Sequence, residues 1–98
     1  MKAELVTDER YLVGDDGFVE LRLWRVAEPV RGSKHRYKYS LAYVVEGVCV
    51  LRYDNEAGKG DHKHLGDVEV NYAFTSLTQL QVDFWEDVER WLARKSGS

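Results

Sequence analysis

The chain has 98 residues, 44% of them hydrophobic and 32% charged, with a net charge of −3. This composition suits one folded domain over residues 1–98 with a single modest core, and it is too apolar for a disordered chain. No apolar run approaches the ~20 residues of a membrane span, and the N-terminal MKAELVTDER lacks the apolar segment of a signal peptide, so the cytoplasm is the expected location.

The first two-thirds alternates like β-sheet. Residues 3–13 predict a strand that ends at the turn GDDG, Gly14–Gly17. Phe18–Val26 follows, with Val19, Leu21 and Leu23 on one face and Glu20, Arg22 and Trp24 on the other. Pro29 and Gly32 punctuate a loop that runs to about His35. Arg36–Val45 and Val48–Asn55 are the clearest strands, and both are apolar on two faces near their shared turn, as central strands are. The turn is Glu46-Gly47, which suits a primed hairpin because glycine accepts positive φ without steric conflict. A two-residue loop fixes the register: Tyr39 opposite Asp54, Leu41 opposite Arg52, Ser40 opposite Tyr53, Lys38 opposite Asn55. Tyr39, Arg52 and Asp54 are thereby expected on one face.

Glu56–Gly66 reads as a polar loop, and Asp67–Phe74 as a returning strand with Val68, Val70, Tyr72 and Phe74 on one side. A helix is expected from Leu77 to about Lys95, opened by a capping box in which Ser76 accepts from the Gln79 amide and Gln79 reaches back. Leu80, Phe84, Val88, Trp91 and Leu92 form its apolar stripe, with Trp85 at the edge. Acidic residues precede Arg90, Arg94 and Lys95, the order the helix dipole favours. The terminal SGS reads as a frayed end. The whole predicts an α+β fold: a mainly antiparallel sheet of about five strands with one C-terminal helix packed on a face.

The one cysteine, Cys49, excludes an intrachain disulfide, and its place in the run VCV predicts a buried, unreactive thiol. Charge is distributed unevenly. Residues 1–30 and 65–98 are each net −3, whereas residues 31–64 are net +3 and hold all three histidines. A positive segment attracts phosphate, although an excess this small also arises by chance.

The stretch Arg52–His64, RYDNEAGKGDHKH, admits several readings. His62 and His64 with Asp54 or Asp61 have the donor types of a metal site, but HxH alone is a weak signal. No serine or cysteine has a nucleophile's setting. Metal-independent RNA cleavage needs no protein nucleophile, because the substrate's 2′-hydroxyl attacks. It requires a base, an acid and cations for the phosphate. His62 and His64 suit the proton transfers, Asp54 or Tyr39 could orient a histidine, and Arg52, Lys59 and Lys63 suit the phosphate. Arg36 and Lys38 could guide it too. A solvated connection has the same composition, although 11 residues is long for a hairpin loop. His35 and Lys34 read as a solvated loop end.

HRYKY at 35–39, RYDNEAGKGDHKH at 52–64 and LTQLQVDFWEDVERW at 77–91, with GFVELRLWRV upstream, resemble the TumE-type toxins of bacterial toxin–antitoxin modules. The resemblance covers nearly the whole chain and implies a cytoplasmic toxin paired with an antitoxin of helix-turn-helix character. It also implies a ribonuclease acting on mRNA, and no cofactor is expected for the metal-independent route. The family's polar motif falls on Arg52, Tyr53, Asp54, Asn55, Lys59, Gly60, Asp61, His62, Lys63 and His64, and its aromatic-basic strand on Tyr37, Lys38 and Tyr39. An acidic overall charge departs from what an RNA-cleaving protein is expected to carry. The alternative is a non-catalytic module whose polar loop recognises the antitoxin or another partner, and an exposed sheet edge would allow a homodimer.

Overall fold

A computed structural model describes residues 3–97. Six strands follow one another in space as in sequence: β1 (Glu4–Val13), β2 (Gly17–Arg25), β3 (Tyr37–Val45), β4 (Val48–Glu56), β5 (Gly60–Leu65) and β6 (Val68–Asn71). Every neighbouring pair is antiparallel. Among the described residues a single helix, α1 (Leu77–Gly97), completes the expected α+β architecture. It continues past Lys95 into the SGS end, of which Ser98 lies outside the described residues.

The strand absent from the sequence reading is β5. Ala57, Gly58 and Lys59 form a three-residue hairpin loop, with Gly58 and Gly60 at positive φ. The apparent 11-residue loop is therefore a tight turn followed by a strand. Its run Gly60–Leu65 escaped the pattern because both of its faces are polar. The last strand is shorter than expected. Tyr72 and Phe74 leave it and turn towards the core, Tyr72 donating to Asp83 at 2.5 Å and Phe74 stacking on His35 at 3.7 Å between ring centres.

The Glu46-Gly47 turn has positive φ at both residues, as a primed hairpin requires. The register it sets persists only through Val45↔Val48 and Val44↔Cys49. Tyr43 then pairs with Leu51, so Val50 is an extra residue on β4. This β-bulge shifts every later pair by one: Ser40 lies opposite Asp54, Leu41 opposite Tyr53, and Ala42 opposite Arg52. Because side chains alternate, the shift sends Tyr39 to one face and Arg52 and Asp54 to the other. Cys49 sits at this irregularity and is exposed rather than buried.

The helix covers one face. Val19, Leu21 and Leu23 of β2, Tyr39, Leu41, Tyr43 and Val45 of β3, and Leu51 and Tyr53 of β4 pack with Leu80, Phe84 and Val88 of α1. Each such side chain contributes roughly 1.5–3 kcal/mol by leaving water. Tyr53 and Tyr43 meet Phe84 and Trp91 edge-on, at 5.6 and 5.5 Å between ring centres, and Trp85 packs edge-on against Tyr11. At the helix N-terminus the Gln79 amide donates to Ser76 Oγ at 3.1 Å, but the Gln79 side chain donates forward to Asp83 and leaves the capping box half made. Among the described residues the opposite face carries no helix, and Arg52, Asp54, His62 and His64 stand there.

Candidate functional site

Two rows of paired residues cross the open face. One runs Arg22, Ser40, Asp54, His62, Asn71; the next runs Glu20, Ala42, Arg52, His64, Glu69. Asp54, His62 and His64 thus come from two paired strands, and Glu69 reaches them from a third. His62 Nε2 lies 2.8 Å from Asp54 Oδ1 and 3.8 Å from Glu69 Oε1. His64 Nδ1 lies 3.9 Å from the other Glu69 oxygen, and the two imidazoles meet edge-on with ring centres 4.9 Å apart.

Exposure divides the roles of this group. The His62 side chain is 2% exposed and that of His64 34%, so only His64 presents its ring to solvent. The His62 Nδ1–H donates to the carbonyl of Gly60 at 3.1 Å, which leaves Nε2 facing Asp54. Arg52, next to His64 across β4 and β5, is exposed, and so is Lys38 on the same face of β3. Both present positive charge on this face.

The other residues of the motif are held elsewhere. Tyr39, Asn55 and Asp61 point to the helix side, where they form a network. Asp61 accepts from Ser33 Oγ at 2.5 Å, His35 Nε2 at 2.6 Å and Tyr39 Oη at 2.7 Å. Asn55 accepts from the Tyr39 amide and donates to the carbonyl of Tyr37 and to Ser33. Burial and the neighbouring Asp61 carboxylate push the Tyr39 hydroxyl far above its usual range, so it stays protonated as a donor. Lys63 is committed to Asp87 of the helix at 3.1 Å, beside Tyr53, whose hydroxyl also donates to Asp87. Burial alone would raise the Asp87 carboxyl, but the hydrogen bonds from Tyr53 and Lys63 outweigh it and hold the group below the usual range. Lys59 is exposed in the β4–β5 turn, 4.0 Å from Glu56, and Arg36 is exposed just before β3.

Two participants had no clear sequence signal. His35 is not a solvated loop end: its Nδ1 accepts from the Tyr37 amide and its ring is stacked on Phe74. With Lys34, Lys59 and Asp61 it lines a cavity of about 420 Å³ on the helix side. Glu69 lay in a stretch read as a half-buried strand, and nothing marked it until β6 paired with β5. The pairing of Asp54 with His62 could have been found had A-G-K been read as a three-residue turn.

This arrangement defines a class: a helix-backed antiparallel meander whose uncovered face carries a carboxylate–imidazole cluster beside exposed cations. A family model described as Toxin TumE matches residues 2–92, and the chain belongs to the TumE toxin family. Membership makes it a toxin component and gives it an antitoxin as partner in general terms. No curated protein and no solved structure matches the chain. Among the described residues, no helix is long and apolar enough to cross a membrane.

Proposed function

We propose that this toxin is an endoribonuclease and that RNA lies across the open sheet face. The observation that carries the reading is the convergence of Asp54, His62 and His64 on that face, beside Arg52 and Lys38. In such a reaction the 2′-hydroxyl attacks its own phosphorus and loses its proton, while the departing 5′-oxygen gains one. The products are a cyclic phosphate and a 5′-hydroxyl, and no covalent protein intermediate is needed. Exposed cations offset charge on the non-bridging oxygens.

The metal-independent form expected from the sequence uses both histidines as proton carriers in contact with RNA. The burial of His62 supports only His64 in that position, with the Asp54–His62 pair beneath it. Tyr39, Asn55 and Lys63 drop out of the reacting group because they are engaged on the helix side. The partner in this reading is an antitoxin of helix-turn-helix character.

The test incubates purified protein with total RNA. Wild type is expected to cleave, His64→Ala to be inactive with an unchanged circular dichroism spectrum, and folded Tyr39→Phe to remain active. RNA left intact by wild type, or cut equally by His64→Ala, overturns the proposal.

A further inference from the structure

The Asp54–His62 contact has a feature that an ion pair does not explain. The two atoms are 2.8 Å apart, yet His62 Nε2 and Asp54 Oδ1 are both buried and have no hydrogen-bond partner among the described residues, including each other. They are close without being aligned. In a hydrogen bond the N–H points at its acceptor, whereas two ligands of one ion point at a third position between them.

The surroundings supply the rest of such a shell. Asp54, His62 and His64 each offer a donor atom within 4.8 Å of the others. Donors held ~2.1 Å from one ion lie roughly 3.0–3.4 Å apart, so a small inward rotation of His64 closes the set. Glu69, within 3.8 and 3.9 Å of the two histidine nitrogens, stands where a fourth ligand is needed. The hydrogen bond from His62 Nδ1 to the Gly60 carbonyl fixes the tautomer with Nε2 free to coordinate, the outer-shell support that metal-binding histidines have. Two carboxylates balance a double positive charge. Two imidazoles and two carboxylates suit a borderline transition ion over magnesium or calcium, which prefer all-oxygen sets.

We propose that Asp54, His62, His64 and Glu69 bind one divalent transition-metal ion of the zinc or manganese type. Asp61, the other carboxylate considered from the sequence, lies on the opposite face and is not a ligand. The binding site stands on geometry alone. Its part in RNA cleavage rests on the proposed function: with the ion bound it would polarise the scissile phosphate and His64 would be its ligand, whereas His64 carries the proton in the metal-independent form.

Equilibrium dialysis of the purified, EDTA-treated chain against zinc chloride and manganese chloride tests the site, with bound metal measured by mass spectrometry. One ion per chain is expected. Asp54→Asn and His64→Gln should each weaken it tenfold or more, and Glu86→Gln on the helix should leave it unchanged. Because Asp54 is buried, circular dichroism checks its variant, while half-exposed His64 supplies the variant least prone to unfold. Binding below one ion per chain, or binding indifferent to both ligand substitutions, overturns the site. RNA assays in the same samples separate the two proposals. Stoichiometric metal with no cleavage sinks the nuclease and keeps the site; chelator-resistant cleavage by a metal-free chain keeps the nuclease and sinks the ion's part in it, while the dialysis alone decides the site.

Discussion

Replacing Asp61 with asparagine should unfold this protein far more readily, although sequence reasoning placed Asp61 among the site candidates. The carboxylate takes donors from three elements: Ser33 in the β2–β3 connection, His35 at its end, and Tyr39 in β3. Hydrogen bonds to a charged acceptor are worth about 1.5–3 kcal/mol each. An asparagine keeps one acceptor oxygen but turns an NH2 group towards donors, so about two of the three bonds weaken or break. His35 cannot adapt by exchanging its proton, because its Nδ1 already accepts from the Tyr37 amide. The expected loss is about 3 kcal/mol, a large part of the roughly 5–15 kcal/mol that holds a domain together. At ~4–8 °C per kcal/mol for a domain of this size, Tm should fall by about 12–24 °C. Thermal unfolding followed by circular dichroism, with a urea titration at 25 °C, measures both quantities. A Tm within ~4 °C of wild type would mean that the network contributes under 1 kcal/mol, and the structural role of Asp61 would be refuted.

Three further outcomes follow from other contacts. Asp87→Asn should cost about 2–3 kcal/mol in urea unfolding, because it leaves Lys63 and Tyr53 without their charged partner. Since the folded state holds the Asp87 carboxyl below its ordinary value, its contribution is complete above about pH 4 and fades as pH falls through the lower folded value. The gap between wild type and variant should therefore narrow in acid, and a gap constant from pH 7 to pH 2 would refute the assignment. Gly60→Ala should destabilise by 2 kcal/mol or more on chemical denaturation, because its Cβ would stand 2.6 Å from the Gly32 carbonyl oxygen at a φ of +76°. Arg52→Ala, on the exposed face, should weaken RNA binding across sequences and reduce the salt slope by roughly 0.7, measured by fluorescence anisotropy at several salt concentrations. An unchanged slope would remove Arg52 from the phosphate contacts.

The helix was legible because its signals are local. Leu80, Phe84 and Val88 recur at helical spacing, and Ser76 caps the first turn through a bond within four residues. The Glu46-Gly47 turn was legible for the same reason. The candidate site was half legible. Asp54, His62 and His64 were named together, yet which of their neighbours share their face depends on Val50, an apolar residue with no sequence mark of a bulge. Tyr39 was grouped with Asp54 on the register of an unbulged hairpin. Lys63 resembles a phosphate ligand until the chain folds and brings Asp87, 24 residues later, to its ammonium. Glu69 needed the pairing of two strands that look polar or short. These are long-range consequences, invisible in any window of a few residues.

The extra residue in β4 also makes the hairpin sensitive to length in a way that substitutions do not probe. A strand is read in twos, one residue to each face, so its sequence has a frame. Removing Val50 would close the bulge and leave the later pairs as they are, Arg52 opposite Ala42 and Asp54 opposite Ser40. With Val50 kept but the bulge flattened, the same Arg52 and Asp54 would face the helix, while Tyr53 and Asn55 faced water. For this sheet a regularly paired residue inserted after Leu51 is a frameshift in space: the letters survive and the message is written on the wrong side of the page.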